Sequence, residues 1–247
     1  MSARLHVTGA AGYLGAALVR LRPDASAERV EVRDERAVRE LFERVRPAAV
    51  VHTAYRQDGP GAYDINVAGS GNVAAAAAAV GARLVHLSTD VVFDGSKGAP
   101  YVEEDPLSPA SDYGRAKADA ERAVAAAHPG ALIVRTSLLY GGPEPSRHEL
   151  MAQDPEATFF TNEVRCPIQV GDLAQALLEL AATELSGPLH VAGADGLTRA
   201  EFAELFARRR VRTAEAPPTR PLDCRLDSSR AQAMIRTRLR GVREVLA

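Results

Sequence analysis

Residues 4–21 read Arg4-Leu-His-Val-Thr8-Gly9-Ala-Ala-Gly12-Tyr13-Leu14-Gly15-Ala-Ala-Leu-Val-Arg-Leu21, and this stretch decides the fold. A short apolar-rich strand candidate, Arg4 to Thr8, runs directly into three glycines spaced three apart, and then into an apolar-periodic segment ending near Leu21. Between a strand and a helix such a loop meets one physical need. It turns tightly, lets backbone approach a pyrophosphate, and packs helix closely on strand. The helix start also presents unpaired N–H groups to the anion. The stretch predicts a dinucleotide site involving Gly9, Gly12, Tyr13, Leu14 and Gly15.

Working outward, Val30 to Val32 is a second, brief strand candidate. Asp34 can cap the next helix, where Val38, Leu41, Phe42 and Val45 recur at i, i+3, i+4 and i+7. Ala48 to Thr53, Arg83 to Ser88 and Ala131 to Thr136 read as buried strands. Alanine-rich helical stretches lie between them, from about Asp64 to Val80 and from about Asp112 to His128. Strands alternating with helices predict an α/β fold, a doubly wound parallel sheet of Rossmann-like type covered on both faces. After Tyr140 the pattern loosens, with a Gly/Pro-rich break at Gly141 to Ser146. A helix is expected from Asp172 to Ala182, a strand from Leu189 to Ala192, and a helix from Thr198 to Arg210 opened by a Thr198/Glu201 capping box. The expected division is a dinucleotide-binding lobe over 1–141 and a smaller α/β substrate lobe over 142–247 that partly returns to the sheet.

The 247 residues carry a formal net charge of −2, which gives no electrostatic case for nucleic acid or an anionic membrane as partner. No apolar run approaches a membrane span, no signal peptide is evident, and with only two cysteines, Cys166 and Cys224, no disulfide framework is expected and a reducing cytoplasm is the default, Cys166 being expected as a packed thiol. No histidine pair has zinc-motif spacing, so no metal site is expected. His6, His52, His86 and His190 read as core or cleft residues of strands. Of the 30 basic residues only Lys97 and Lys117 are lysine, which with the six-alanine run at 74–79 reads as a GC-rich coding bias. Each remaining lysine then invites a reason.

Lys117 follows Tyr113 by four residues within a helical stretch, which puts both side chains on one face. Ser88-Thr89-Asp90 ends a strand at the sheet edge where open α/β sheets place their ligands. A free tyrosine titrates near ~10, and a neighbouring ammonium favours its phenolate and moves it toward working range. Thr89 could orient a carbonyl that Tyr113 protonates, with Ser88 at the cofactor. Around the short second strand, Arg20, Arg22 and Arg29 outnumber Asp24 and Glu28, which leans the cofactor to NADP with NAD as the alternative.

The glycine loop, Ser88-Thr89-Asp90 and Tyr113-Gly-Arg-Ala-Lys117 together resemble the extended short-chain dehydrogenase/reductases. More narrowly, His86 to Gly95, Tyr113 to Lys117 and Arg135 to Tyr140 resemble the dTDP-4-dehydrorhamnose reductase branch. The resemblance implies an oxidoreductase acting on the 4-keto group of a nucleotide-activated deoxysugar, with Thr89, Tyr113 and Lys117 as catalytic trio. It also implies that Glu31 and Val32 flank the adenine and that Thr53 and Ala54 line the cofactor cleft. Departures fall at the sugar pocket: Val91 stands where the branch has an aromatic residue, Leu138 where it has tryptophan, and Gly141 to Ser146 replaces an asparagine-containing segment. Arg165 is the candidate substrate-phosphate contact. Leu138 to Gly141, Arg165 to Ile168 and Leu226 to Ser229 are similar to the non-redox, NADP-binding β subunit of methionine adenosyltransferase, so a regulatory subunit is a second reading. A nucleotide-sugar epimerase or dehydratase is a third. A small-molecule partner is expected, and a homodimer is left open.

Overall fold

The glycine-rich stretch folds as its spacing predicts. In the computed structural model, which describes residues 4–247, Leu5–Thr8 is strand β1 and Tyr13–Leu21 is helix α1, with the glycine turn between them. Gly9 has φ +71°, and a Cβ there would lie 2.6 Å from the backbone nitrogen of Ala54. A Cβ on Gly15 would meet the Gly9 carbonyl oxygen at 2.2 Å. Only glycine permits this approach of turn, helix and neighbouring strand end.

The chain continues through α2 (Glu35–Val45), β2 (Ala49–His52), α3 (Ala62–Asn66), α4 (Ala68–Ala79), β3 (Arg83–Thr89), a 3₁₀ turn (Asp90–Val92), α5 (Asp112–Ala127) and β4 (Leu132–Thr136). There follow β5 (Leu139–Tyr140), α6 (Arg147–Gln153), β6 (Thr158–Phe160), β7 (Val164–Arg165), β8 (Ile168–Gln169) and α7 (Val170–Leu180). The last elements are β9 (Gly187–His190), β10 (Leu197–Thr198), α8 (Arg199–Ala207), β11 (Arg212–Ala214), α9 (Ser229–Met234) and α10 (Val242–Val245). Five strands form a parallel sheet in the order β1-β2-β3-β4-β9. The doubly wound α/β architecture is therefore present, and β9 brings the C-terminal part of the chain back to the sheet. The segments outside it pair as β5 with β8, β7 with β10, and β6 with β11.

Both faces of the sheet are covered, as all-parallel sheets require. On one face Leu14 and Leu18 of α1 pack with Leu173, Leu177 and Leu180 of α7. On the other, Val38, Leu41 and Phe42 of α2 pack with Val73, Ala74 and Ala77 of α4. α2 is capped as expected, the Asp34 carboxylate accepting from the Ala37 amide at 3.0 Å. The Thr198/Glu201 capping box also forms, but α8 ends at Ala207 because Arg208 turns left-handed at φ 53°.

Several expectations are corrected. Val30 to Val32 forms no strand. The chain after α1 touches the sheet at Ser26 alone, whose carbonyl accepts from the Val7 amide at 2.9 Å and whose amide donates to the Leu5 carbonyl at 2.8 Å. It then leaves to reach the Asp34 cap, and Val32 is buried under Gly69, where a Cβ would lie 2.6 Å from Val32 Cγ2. The single helix expected from Asp64 to Val80 is two helices meeting at Val67. The alanine run is more than a compositional accident: Ala74, Ala76 and Ala77 are buried, and their small side chains let α4 lie close between α2, α5 and the sheet. Lys97 also acquires a role. Its ammonium pairs with Asp105, donates to the Pro100 carbonyl at 3.1 Å and sits 5.5 Å from the centre of the Tyr101 ring, knitting that loop together.

The strand histidines are all buried. His52 hydrogen-bonds Thr8 Oγ1 at 2.6 Å and Ser70 Oγ at 3.1 Å, and burial holds its imidazole down to about 3. Cys166 and Cys224 are packed thiols, and burial raises Cys166 to about 11.

Steric demand in α4 can be read by substitution. Ala77→Leu, at a fully buried site, should destabilise the fold by ~1–3 kcal/mol through overpacking. Ala78→Leu, on the exposed face, should change stability by less than ~0.5 kcal/mol. Urea unfolding midpoints compare the two.

Candidate active site

A cavity of about 600 Å³ opens where the carboxyl ends of β2, β3 and β4 meet the start of α1. It brings together Gly12, Tyr13, Leu14, Gly15, Thr53, Ala54, Ser88, Thr89, Val91, Tyr113, Lys117, Leu138 and Arg165 from six separate stretches of chain. Gly9, Glu31 and Val32 lie outside its lining. Gly9 serves the turn beneath Ala54, Val32 is in the core, and the exposed Glu31 carboxylate is held by Arg33 at 2.9 and 3.1 Å.

α1 starts at Gly12 with no side-chain cap, whereas α2, α5, α6, α7 and α8 each have one. Its first-turn N–H groups therefore face the cavity without a side-chain acceptor, the arrangement a bound anion would complete.

α5 is aimed by two local features. Ser111 accepts from the Gly114 amide at 3.1 Å, and Gly114 lets the helix start approach the 3₁₀ turn, since a Cβ there would meet the Val91 carbonyl at 2.2 Å. Tyr113 and Lys117 then share the face turned to the sheet. Lys117 is buried, and its ammonium donates to the Leu87 carbonyl at 2.5 Å. Burial pulls it down to about 8, a shift that nearby Glu121 opposes. Tyr113 lies 6.1 Å from the Tyr55 ring. Burial pushes its phenol well above the usual tyrosine range, Tyr55 and Asp90 push the same way, and Arg147 opposes them. The cation that opposes the rise is thus Arg147 and not the Lys117 ammonium expected to lower it, and Tyr113 stands as a neutral phenol.

Thr89 Oγ1 donates to Asp90 Oδ1 at 3.1 Å. The Asp90 carboxylate is buried, accepts from Ser137 Oγ at 2.6 Å and faces Arg165 Nε at 3.7 Å. The Arg165 guanidinium is largely committed to the protein, donating to the carbonyls of Val164, Leu222 and Pro221 at 2.7–2.8 Å and pairing with Glu163 at 3.3 Å.

Sequence reasoning missed the cavity's far end. There Arg147, His148, Arg199 and Arg220 join Arg165 in the lining. Arg199 Nη2 meets His148 Nδ1 at 3.2 Å, while its Nη1 is buried with no hydrogen-bond partner among the described residues. Arg220 Nε donates to Glu163 Oε2 at 2.8 Å, and its guanidinium lies 5.0 Å from the centre of the Phe160 ring. β10 pairs Leu197 with Arg165 of β7, which is what brings Arg199 beside it. No short-range motif signals that pairing.

Tyr13 joins the glycine loop to the segment after β5. Its hydroxyl accepts from the Gly142 amide at 2.7 Å and donates to Glu149 Oε2 at 3.3 Å. Glu149 also accepts from the amides of Gly141 at 2.9 Å and Ser146 at 2.6 Å. The Gly141 to Ser146 segment is thereby held in place, and its Pro145 and Ser146 line the cavity.

Comparison with known proteins places this geometry. A family model described as the RmlD substrate binding domain matches residues 3–247. The chain is 33% identical over an alignment of 280 positions to the dTDP-4-dehydrorhamnose reductase of Mycolicibacterium smegmatis, covering 100% of this chain and 84% of that protein. It is 32% identical over 238 residues to methionine adenosyltransferase 2 subunit beta of Rattus norvegicus, covering 82% of this chain and 70% of that protein. The crystal structure of dTDP-4-dehydrorhamnose reductase from Bacillus anthracis, in complex with NADP, superposes with a TM-score of 0.88 at 27% identity, covering 100% of this chain and 98% of that one.

Tyr13→Phe removes the hydroxyl between Gly142 and Glu149. It should cost about 1 kcal/mol of stability and speed hydrogen exchange at the Gly142 amide severalfold, measured by exchange mass spectrometry on segment 141–148.

Proposed function

The chain belongs to the RmlD substrate binding domain family, and on that premise we propose that it is an NADP(H)-dependent reductase of the 4-keto group of a nucleotide-activated deoxysugar, with NAD(H) as the alternative hydride source. The observation that carries this reading is a single cavity running from the uncapped start of α1, past Thr89, Tyr113 and Lys117, to the arginines at its far end. The dinucleotide fits the residues present: the glycine turn leaves backbone N–H groups bare at its floor, and Thr53 and Ala54 continue the wall. The NADP complex of the Bacillus anthracis relative supports the same choice.

When bound, the dinucleotide supplies the hydride. The chain's own residues supply the rest. The Thr89 hydroxyl turns its one proton from Asp90 Oδ1 to the substrate carbonyl oxygen, and the Tyr113 phenol, kept neutral by burial, carries the proton that oxygen receives. Lys117 keeps one N–H on the Leu87 carbonyl and offers the others toward the ribose hydroxyls and Tyr113. Arg199, with one nitrogen unspent, is the favoured phosphate contact, joined by Arg147 and Arg220. This shifts the phosphate role away from Arg165, whose donors are engaged by backbone carbonyls. Val91 and Leu138 give the sugar an apolar wall. In this reading residues 1–141 hold the dinucleotide and 142–247 the substrate, in a cytoplasmic protein whose two thiols stay reduced. No helix among the described residues is long and apolar enough to cross a membrane.

The likeness to methionine adenosyltransferase 2 subunit beta supports a second reading, a dinucleotide-binding regulatory subunit. Turnover separates the two. NADPH oxidation with a nucleotide 4-keto-6-deoxysugar should follow enzyme concentration. Tyr113→Phe should lower kcat by ~10²–10⁴-fold and leave the NADPH Kd within about threefold. Unchanged turnover in that variant overturns the mechanism. No oxidation, together with copurification of a methionine adenosyltransferase catalytic subunit, favours the regulatory reading.

A further inference from the structure

Glu121 lies outside the cavity lining and takes no part in the reaction above, yet it is fully buried and makes four short polar contacts. It follows Lys117 by four residues as Lys117 follows Tyr113, so all three share one face of α5. On β3, consecutive residues receive that face. The Leu87 carbonyl accepts from Lys117 at 2.5 Å, and Ser88 Oγ donates to Glu121 Oε1 at 2.5 Å. Directly opposite Ser88 in the β3–β4 register stands Arg135. Its Nε and Nη2 donate to the same carboxylate at 2.9–3.2 Å.

We propose that Glu121 is a positioning residue: it pins α5 across β3 and β4 and is the buried countercharge that keeps the Lys117 ammonium charged in the site. The proposal rests on the reading of Lys117 as part of the active site. A carboxylate in this place is costly, because burying two charges offsets most of their attraction, and an apolar pair would hold the helix as well. What the carboxylate adds is its field. The groups facing Lys117 from the other elements do not supply one. His86 on β3 and His52 on β2 are held neutral by burial, α4 presents Ser70 to His52, and Arg135 on β4 is itself a cation. Arg115, Asp119 and Arg122 ride on the outer side of α5, the last two paired with each other. Glu121 alone opposes the effect of burial on Lys117.

Lysine scarcity makes the test direct. Protein labelled with [ε-¹³C]lysine gives two resonances, Lys97 and Lys117, assigned with Lys97→Arg. Their chemical shifts are followed across roughly pH 6 to 11. Lys117 should titrate at about 8. Loss of a negative neighbour disfavours the charged amine, so in Glu121→Gln its midpoint should fall by ~1 unit while Lys97 is unmoved, and Glu121→Asp should restore most of the shift. A midpoint that falls by less than about 0.5 unit, or rises, overturns the proposal, since a merely structural role would lower stability and leave the titration in place. If Arg135 left unpaired prevents Glu121→Gln from folding, the double variant Glu121→Leu/Arg135→Leu is read against Arg135→Leu alone, so that only the carboxylate differs: its Lys117 midpoint should lie ~1 unit below that of Arg135→Leu, and a difference under about 0.5 unit overturns the proposal. The measurement needs no turnover. Absence of NADPH oxidation with the shift intact would remove the reductase reading and leave this one standing.

Discussion

The Glu121–Arg135 ion pair is the interaction on which the placing of Tyr113 and Lys117 against the sheet depends. Both groups are within a few per cent of complete burial, at 4% and 5% exposure, and removing one partner of such a pair costs ~3–5 kcal/mol. The pair joins α5 to β4 directly and to β3 through Ser88. Arg135 extends it further, donating to the Glu103 carbonyl at 3.2 Å, while Glu103 Oε1 accepts from the His190 amide of β9 at 3.0 Å. One buried network therefore ties the helix bearing Tyr113 and Lys117, the central strands, and the loop after the 3₁₀ turn. The Phe93 ring seals that loop, stacked on Tyr101 at 4.1 Å and packed against the Arg135 guanidinium at 5.3 Å.

What was legible in the sequence is what rests on short-range spacing. The glycine turn, the Asp34 cap, the Thr198/Glu201 box and the Tyr113–Lys117 face each need only a few consecutive residues, and each is present. The parallel sheet follows from strand–helix alternation for the same reason. Val30 to Val32 was misread because β propensity is a statement about fit to a pleated surface, and this segment is instead drawn over α4. The far end of the cavity was illegible for a different reason. Arg165 and Arg199 meet only because β7 and β10 pair, and in a chain with 28 arginines nothing local marks Arg147, Arg199 and Arg220 as the neighbours of Arg165. Glu121 was hidden in the same way: an acid four residues from a lysine on a helix usually marks a solvent-exposed pair.

Charge is sorted along the cavity. At the glycine loop the positive character comes from backbone N–H groups, which are fixed in place and cannot be titrated away. In the middle a single ammonium is held by one carbonyl and one remote carboxylate. At the far end guanidinium groups dominate, tempered by Glu163 between Arg165 and Arg220. A molecule with anionic groups at both ends and an uncharged centre matches that sequence of potentials.

The single bridge at Ser26 has a consequence for the isolated chain in solution. An open parallel sheet ends in strands whose outer N–H and C=O groups can template another molecule, and such edges are where misassembly begins. Next to β1, the edge here is one residue long, with both ladder groups of Ser26 already spent on Leu5 and Val7. A register of one residue offers an incoming strand nothing to extend. By stopping short, the segment after α1 protects the β1 margin of the sheet against aggregation.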